Sequence, residues 1–306
     1  MRIAIIDLGT NTFNLIIAEV FSNKRFKQIY ETKLPVMLGQ GGINNNYIVP
    51  GALKRGIKTL KQYKKITEKY RSDKLIAIAT SAIREASNGQ DFIEKAKKQA
   101  GIAVEIISGD REAELIYYGV REGVKMSHRK SLIMDIGGGS TELIIADKNK
   151  IFWKKSFLLG AARLLDKIKP SDPISDQEIK RIENYLLKEL LPLFSAVKKH
   201  PVAELIGSSG SFESLAEMIV CRFYSPSVLE GKTEYDFDLG DCSKIYKLIV
   251  KSTRAERMKM KGLIKMRVDM IVVSAIFVNL IVRKLKIKKI RLSTYSLKEG
   301  VIVGMV

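Results

Sequence analysis

The sequence predicts an α/β protein made of two homologous domains that face each other across a cleft, and two observations carry this prediction. A strand, an Asp, a polar turn containing glycine and a second strand run through IIDLGTNTFNL from Ile5, and the same succession returns 128 residues later in LIMDIGGGSTELI, so that Asp7 has a counterpart in Asp135. A strand–turn–strand unit repeated at that distance marks a duplicated architecture. Elsewhere, short strand-like apolar runs alternate with stretches of helical period, as in layered α/β domains.

Taken in order, the apolar run 3–6 stops at the polar segment 7–12 and resumes over 13–20, which predicts a hairpin. Helices are expected over 50–71 and 90–100, and strands over 74–79 and 104–107. The second hairpin joins 132–134 to 143–146. Beyond it, helices are expected over 175–199, 212–220, 242–253 and 268–285, with strands over 203–206 and 289–292. The apolar periodicity breaks over 123–130. The first domain is therefore expected to span 1–124 and the second 125–295, with a C-terminal helix, 296–306, joining the first. Hinges are expected near 123–130 and 295–300.

The 306 residues, 46% of them apolar, suffice for well-developed cores. A formal charge of +20, from 53 Lys and Arg against 33 Asp and Glu, suits a polyanionic partner such as nucleic acid, anionic lipid or inorganic polyphosphate. The cations gather at 54–69, 254–267 and 283–291 and read as solvated helix faces unless the fold makes them concave. No zinc-finger, RNP-like or recognition-helix pattern accompanies them, which disfavours nucleic acid. The apolar stretch 268–282 is interrupted by Asp269, Ser274 and Asn279 and is too short for a membrane span, so a buried helix and no membrane are expected. The opening strand does not resemble a signal peptide. Cys221 and Cys242 fit neither a metal spacing nor a disulfide framework, and a cytoplasmic location follows as the expectation. A homodimer is compatible with the sequence, with the 268–282 helix as a candidate contact.

The repeated turns are candidate anion sites, because successive backbone N–H groups in a turn without bulky side chains converge on one concavity. Gly9, Gly137, Gly138 and Gly139 allow close approach, and Thr10, Asn11, Thr12, Ser140 and Thr141 add donors. Asp7 and Asp135, each at a strand end, offer hard oxygens of the kind Mg²⁺ takes together with waters and substrate phosphates, although an Asp there can also simply cap its turn. In IISGDREAELIYYG a strand stops and a helix begins. Asp110, Glu112 and Glu114 complement the helix dipole, and Glu112 adjoins the apolar face of Ala113, Ile116 and Val120, from which it could lean into the cleft as a general base. In ATSAIREASNG, Arg84 is the one cation, able to clamp phosphate bidentately or to serve as a surface ion-pair residue.

These stretches, together with IGSSGSFESL and LSTYSLKEGV, span nearly the whole chain and resemble the Ppx/GppA phosphatase family of the actin-like ATPase superfamily. The resemblance implies two actin-like (ribonuclease H-like) domains with an interdomain cleft. It also implies Mg²⁺-dependent release of terminal phosphate from inorganic polyphosphate or guanosine pentaphosphate (pppGpp) by an activated water. On this resemblance Glu112 is the catalytic carboxylate and Arg84 holds phosphate. Asp7 and Asp135 are metal-associated, with Glu142 as a further acidic residue near the metal or water, and Ser209 and Gly210, in the loop 207–211, are expected to bind phosphate. The family pattern is departed from at Met37, Gln40 and Lys298. At 306 residues the chain is expected to hold only the two-domain core. The charge excess favours polyphosphate over pppGpp, since a long polyanion can use many dispersed cations. A kinase of the same superfamily and a non-catalytic polyphosphate- or nucleic-acid-binding scaffold are the rival readings.

Overall fold

In the computed structural model, which describes residues 1–21 and 25–305, the duplication expected from the two hairpins is a duplication of whole sheets. The first half runs β1 (Arg2–Leu8), β2 (Thr12–Val20), β3 (Phe26–Pro35), α1 (Pro50–Lys69), β4 (Lys74–Ala79), α2 (Ser81–Arg84), α3 (Gly89–Ala100), β5 (Val104–Ile106) and α4 (Gly109–Gly123). The second half opens with β6 (Ser131–Ile136), β7 (Thr141–Ala146), β8 (Ile151–Phe157), α5 (Ala161–Ile168), α6 (Asp176–Glu189), α7 (Leu191–Lys199), β9 (Glu204–Ser208) and α8 (Ser209–Phe223). It closes with β10 (Glu234–Phe237), α9 (Leu239–Lys251), α10 (Arg254–Arg257), α11 (Met270–Lys284), β11 (Ile290–Ser293) and α12 (Leu297–Val303).

The sheet orders are β3-β2-β1-β4-β5 and β8-β7-β6-β9-β11, the latter with β10 added at its edge. In each, an antiparallel meander is followed by strands parallel to the first. This is the actin-like order, present twice.

Side chains alternate across a strand, and β1 and β6 are apolar on both faces because both faces are covered. Ala4, Ile6 and Leu8 enter the core under α1 and α3, whereas Ile3 and Ile5 point the other way. Leu132, Met134 and Ile136 likewise enter a core shared with α11, while Ile133 points inward. Between the two inner faces lie α4 and α12, whose Ala113, Ile116, Tyr117, Val120, Val301 and Ile302 bring the halves into one central core. Helix α4 therefore carries the acidic turn of the ISGDREAE segment into the middle of the molecule.

Several expected elements differ in detail from those found. The single helix over 175–199 is two, since Pro192 near the start of α7 lacks an N–H and crowds the preceding turn. Strands β3, β8 and β10 escape the sequence pattern because they lie at or next to sheet edges and carry exposed polar residues such as Lys27, Lys155 and Asp236. The helix expected over 296–306 covers Leu297–Val303 after a capping box closed by Ser296 and Glu299; Val306 lies outside the described residues. The apolar helix over 268–282 is a poor candidate for a dimer contact. Val273, Ile276, Phe277 and Ile281 are fully buried within the second core, which leaves little apolar surface to offer. Among the described residues no helix is long and apolar enough to cross a membrane.

The α4–α12 crossing depends on two glycines. A Cβ on Gly300 would lie 1.7 Å from the Leu115 carbonyl oxygen, and one on Gly119 would lie 1.9 Å from that of Ser296. Backbone meets backbone there. Gly300→Ala is accordingly expected to lower the unfolding free energy by about 1–3 kcal/mol, the usual cost of overpacking, as measured by chemical denaturation; unchanged stability would show that the helices can separate without cost.

Candidate active site

The two repeated turns face each other at the ends of β1 and β6, and both line a cavity of about 130 Å³ between the halves. They are built alike. Gly9 N–H donates to the Thr12 carbonyl at 3.0 Å, and Gly137 N–H donates to the Ser140 carbonyl at 3.0 Å. Register is also shared, with Asp7 opposite Asn14 and Asp135 opposite Glu142.

Glycine is required where the turns touch. A Cβ on Gly138 would lie 2.5 Å from the Asn11 amide nitrogen, and one on Gly139 would lie 2.6 Å from Thr10 Oγ1 and 2.7 Å from Ser81 Oγ. Behind the second turn, the start of α5 captures the carbonyls: Ala161 N–H donates to Gly137 at 2.9 Å, and Ala162 and Arg163 N–H donate to Gly138 at 2.9 and 3.1 Å. Arg163 Nε donates to Gly139 at 3.1 Å. With these oxygens turned away, the N–H groups of Gly138, Gly139 and Ser140, like those of Thr10 and Asn11, have no hydrogen-bond partner among the described residues. Unpartnered donors set in facing turns are of the kind that can bind an anion. The buried Ser81 hydroxyl at the start of α2, also without a partner, lines the same cavity.

The carboxylates are crowded and only partly compensated. Glu112, in the first turn of α4, is buried, and its Oε2 accepts a 2.7 Å hydrogen bond from Arg84 Nη1. Burial nevertheless pushes its carboxyl up to about 7, against the pull of Arg84. Asp7 accepts from Asn14 Nδ2 at 2.8 Å and is raised to about 6, again by burial. Glu142 accepts from Ser156 Oγ at 2.7 Å and stands well above its ordinary value, through burial and then the charges of Glu112 and Asp135. One oxygen of Asp135 collects three hydroxyl donors: Ser208 and Ser209, each at 2.7 Å, and Ser296. Ser209 adopts a left-handed backbone, with φ of 62°, to deliver its hydroxyl.

Among the described residues no three His, Cys, Asp or Glu side chains form a ready metal cage. The donor set still fits a divalent cation of the Mg²⁺ kind, which takes one or two carboxylates and completes its shell from waters and phosphates. Asp7, Asp135 and Glu142 line the cavity, and Asn14 Oδ1 is a buried oxygen with no partner. A bound cation would supply positive charge to carboxylates that burial otherwise drives toward protonation.

The structure brings Gly9, Thr10, Asn11, Thr12, Gly137, Gly138, Gly139, Ser140, Ser209 and Gly210 to this cavity with Glu112, Asp7, Asp135 and Glu142. Two candidates stand outside its lining. Thr141, the first residue of β7, alternates inward and donates Oγ1 to the Leu159 carbonyl at 3.0 Å. Arg84 adjoins Glu112 outside the lining, its Nη1 donating to Glu112 and to the Ile107 carbonyl at 3.1 Å and its Nε to Glu85 at 2.9 Å, while its Nη2 has no hydrogen-bond partner among the described residues. Ser209 donates to Asp135 and not into the cavity. Gly210 lets the Arg267 guanidinium lie against the start of α8, where a Cβ would come within 1.4 Å of it.

Sequence reasoning missed Asn14, Ser81, Lys33, Glu213 and Arg267, all of which line the cavity. The repeat could have found Asn14, the counterpart of Glu142. Arg267 ends a basic cluster read as a solvated face, and no local signal separates it from its neighbours. Met37 and Gln40 lie outside the lining, whereas Lys298 is part of it.

Fold and site together define an actin-like protein whose two repeated turns and their carboxylates line one cavity between the halves. The chain belongs to the Ppx/GppA phosphatase family, whose model matches residues 16–306. It is 41% identical to an exopolyphosphatase from Cytophaga hutchinsonii of known crystal structure, with a TM-score of 0.95 over 100% of this chain and 97% of that one. The Aquifex aeolicus family member is 27% identical, with a TM-score of 0.82 over 100% of this chain and 97% of its own. Exopolyphosphatase 1 of Mycobacterium leprae is 25% identical over 304 residues, 99% of this chain and 89% of the relative.

The raised Glu112 carboxyl has a definite sign in pH. Its folded value of about 7 exceeds the ordinary 4.5, so its contribution to stability is present below about 4.5 and is lost as pH rises through about 7. In chelator, the stability difference between wild type and Glu112→Gln is expected to shift toward the variant across that window, followed by denaturant unfolding at successive pH values. A difference that stays constant would mean that burial does not perturb Glu112.

Proposed function

We propose that the chain is an exopolyphosphatase that releases terminal orthophosphate from inorganic polyphosphate, with Glu112 as general base. The observation that carries this reading is the convergence of unpartnered backbone N–H groups from both turns on a cavity that also holds Glu112. The relatives named as exopolyphosphatases and the excess of 53 cations over 33 anions support the choice of substrate.

In this mechanism the terminal phosphoryl group lies in the nest formed by Thr10, Asn11, Gly138, Gly139 and Ser140, with the Ser81 hydroxyl as a further donor. Arg84 holds one oxygen of Glu112 and leaves the other to face a water. That water attacks phosphorus and passes a proton to Glu112 as the new P–O bond forms. The bond to the bridging oxygen breaks, and the shortened chain departs with the electron pair. A carboxyl near 7 is well matched to this task at neutral pH. Most of the catalysis in such transfers is placement and charge neutralisation, which the fixed N–H groups supply without reorganisation. A divalent cation held by Asp7, Asp135 and Glu142 would neutralise the phosphate oxygens.

The separate apolar cores built around the two sheets support a first domain over 1–124 and a second over 125–295, with the C-terminal helix joined to the first through α4. Two unbridged cysteines, Cys221 and Cys242, agree with a cytoplasmic location.

Glu112→Gln is expected to cut turnover at least about 10²-fold, the lower range for a general base, while polyphosphate still binds. Phosphate release from long-chain polyphosphate, pppGpp and ATP should be followed side by side, with Mg²⁺ and with EDTA. Release from polyphosphate fastest, and abolished by EDTA, is the expected result; equal or faster release from pppGpp would replace the substrate assignment, and full turnover by the variant would remove Glu112 from its role.

A further inference from the structure

The wall of the cavity away from the glycine turns contains a carboxylate that the proposed hydrolysis does not use. Glu213, on the first turns of α8, forms a 3.1 Å ion pair with Lys33 of β3, which bridges the two halves of the molecule. Arg267 and Lys298 line the same wall and act on Glu213 electrostatically. Burial alone would push the Glu213 carboxyl up, yet the three cations outweigh it and hold it below its ordinary value. Lys298 is already neutralised by Glu31 at 3.2 Å and Glu299 at 2.7 Å. Among the described residues Lys33 pairs with no other carboxylate, and the desolvated guanidinium of Arg267 forms no ion pair, although Glu213, Glu217 and Asp135 act on it through their charges. One carboxylate therefore pairs with Lys33 and offsets the charge of Arg267, the two cations that an incoming phosphate would need.

We propose that Glu213 is a specificity-determining residue that stands in for a substrate phosphate, so that the polyanion must displace it from Lys33, beside Arg267, in order to bind. The inference rests on the exopolyphosphatase reading. Its consequence is a cleft that discriminates by charge. A substrate that delivers several phosphates to this wall can displace Glu213, whereas a monoanionic ligand cannot, because it gains no more from the two cations than the tethered carboxylate already does. Displacement also opens the Lys33–Glu213 bridge, which ties entry of the chain to parting of the halves at that edge.

The sign of two variants separates this role from that of a structural latch. Glu213→Gln keeps the shape and removes the competing charge, and it is expected to lower the KM for long-chain polyphosphate at least about threefold, the scale of one partly exposed ion pair, with a larger effect at low ionic strength. Lys33→Met is expected to raise KM. If the pair serves only to latch the halves, both variants move KM in the same direction, and the proposal falls; it falls equally if Glu213→Gln leaves KM unchanged. Calorimetric binding of polyphosphate to wild type and Glu213→Gln, each in a Glu112→Gln background, gives the same comparison without turnover. Tighter binding by Glu213→Gln upholds the inference even if the wild type releases no phosphate, in which case the hydrolase reading alone is lost.

Discussion

The contact between two backbone turns is the constraint on which this molecule depends. Gly138 and Gly139 lie so close to Thr10, Asn11 and Ser81 that no side chain fits between them. This proximity brings two sets of unpartnered N–H groups to one cavity, and it can exist only because α4 and α12 hold the two sheets together from behind. Those helices meet in turn through Gly119 and Gly300. Glycine is thus used twice for one purpose: first to let helices cross at backbone distance, and then to let turns face each other at the same range.

The second theme is charge. A chain with a formal charge of +20 places five carboxylates, Asp7, Glu112, Asp135, Glu142 and Glu213, around the cavity and faces them with only Lys33, Arg267 and Lys298. Bulk charge and site charge therefore have opposite signs. The basic surface can attract a polyanion from a distance, whereas the cavity itself sets more carboxylates than cations against it. Raised carboxyls at Asp7, Glu112 and Glu142 are the same fact seen from the side of the protein, since burial without a full complement of cations favours the neutral acid.

Arg84 shows how a residue expected near the site is tied to it through another side chain. Its position in ATSAIREASNG pointed to a phosphate clamp or an ion pair, and Nε and Nη1 of its guanidinium are engaged by Glu85, Glu112 and a carbonyl. It holds one oxygen of Glu112, which lines the cavity. The hydroxyls of Ser208, Ser209 and Ser296 do the same for Asp135, arriving from β9, α8 and the approach to α12. Both carboxylates are thereby fixed by groups distant in the chain.

By itself the sequence determined whatever local periodicity and repetition encode. The two hairpins with their Asp and glycine residues, the alternation of strands and helices, the buried character of α11 and the placement of Glu112 beside an apolar helical face were all legible. Each depends on neighbours within a few residues or on comparing one segment with its own copy. Tertiary structure alone decided the far wall of the cavity and the partners of the carboxylates. Lys33, Glu213 and Arg267 come from an edge strand, a helix start and a short turn, and the paired Lys33 and Glu213 are 180 residues apart in the chain. No periodicity links residues so far apart, because what unites them is the closing of one sheet over the other.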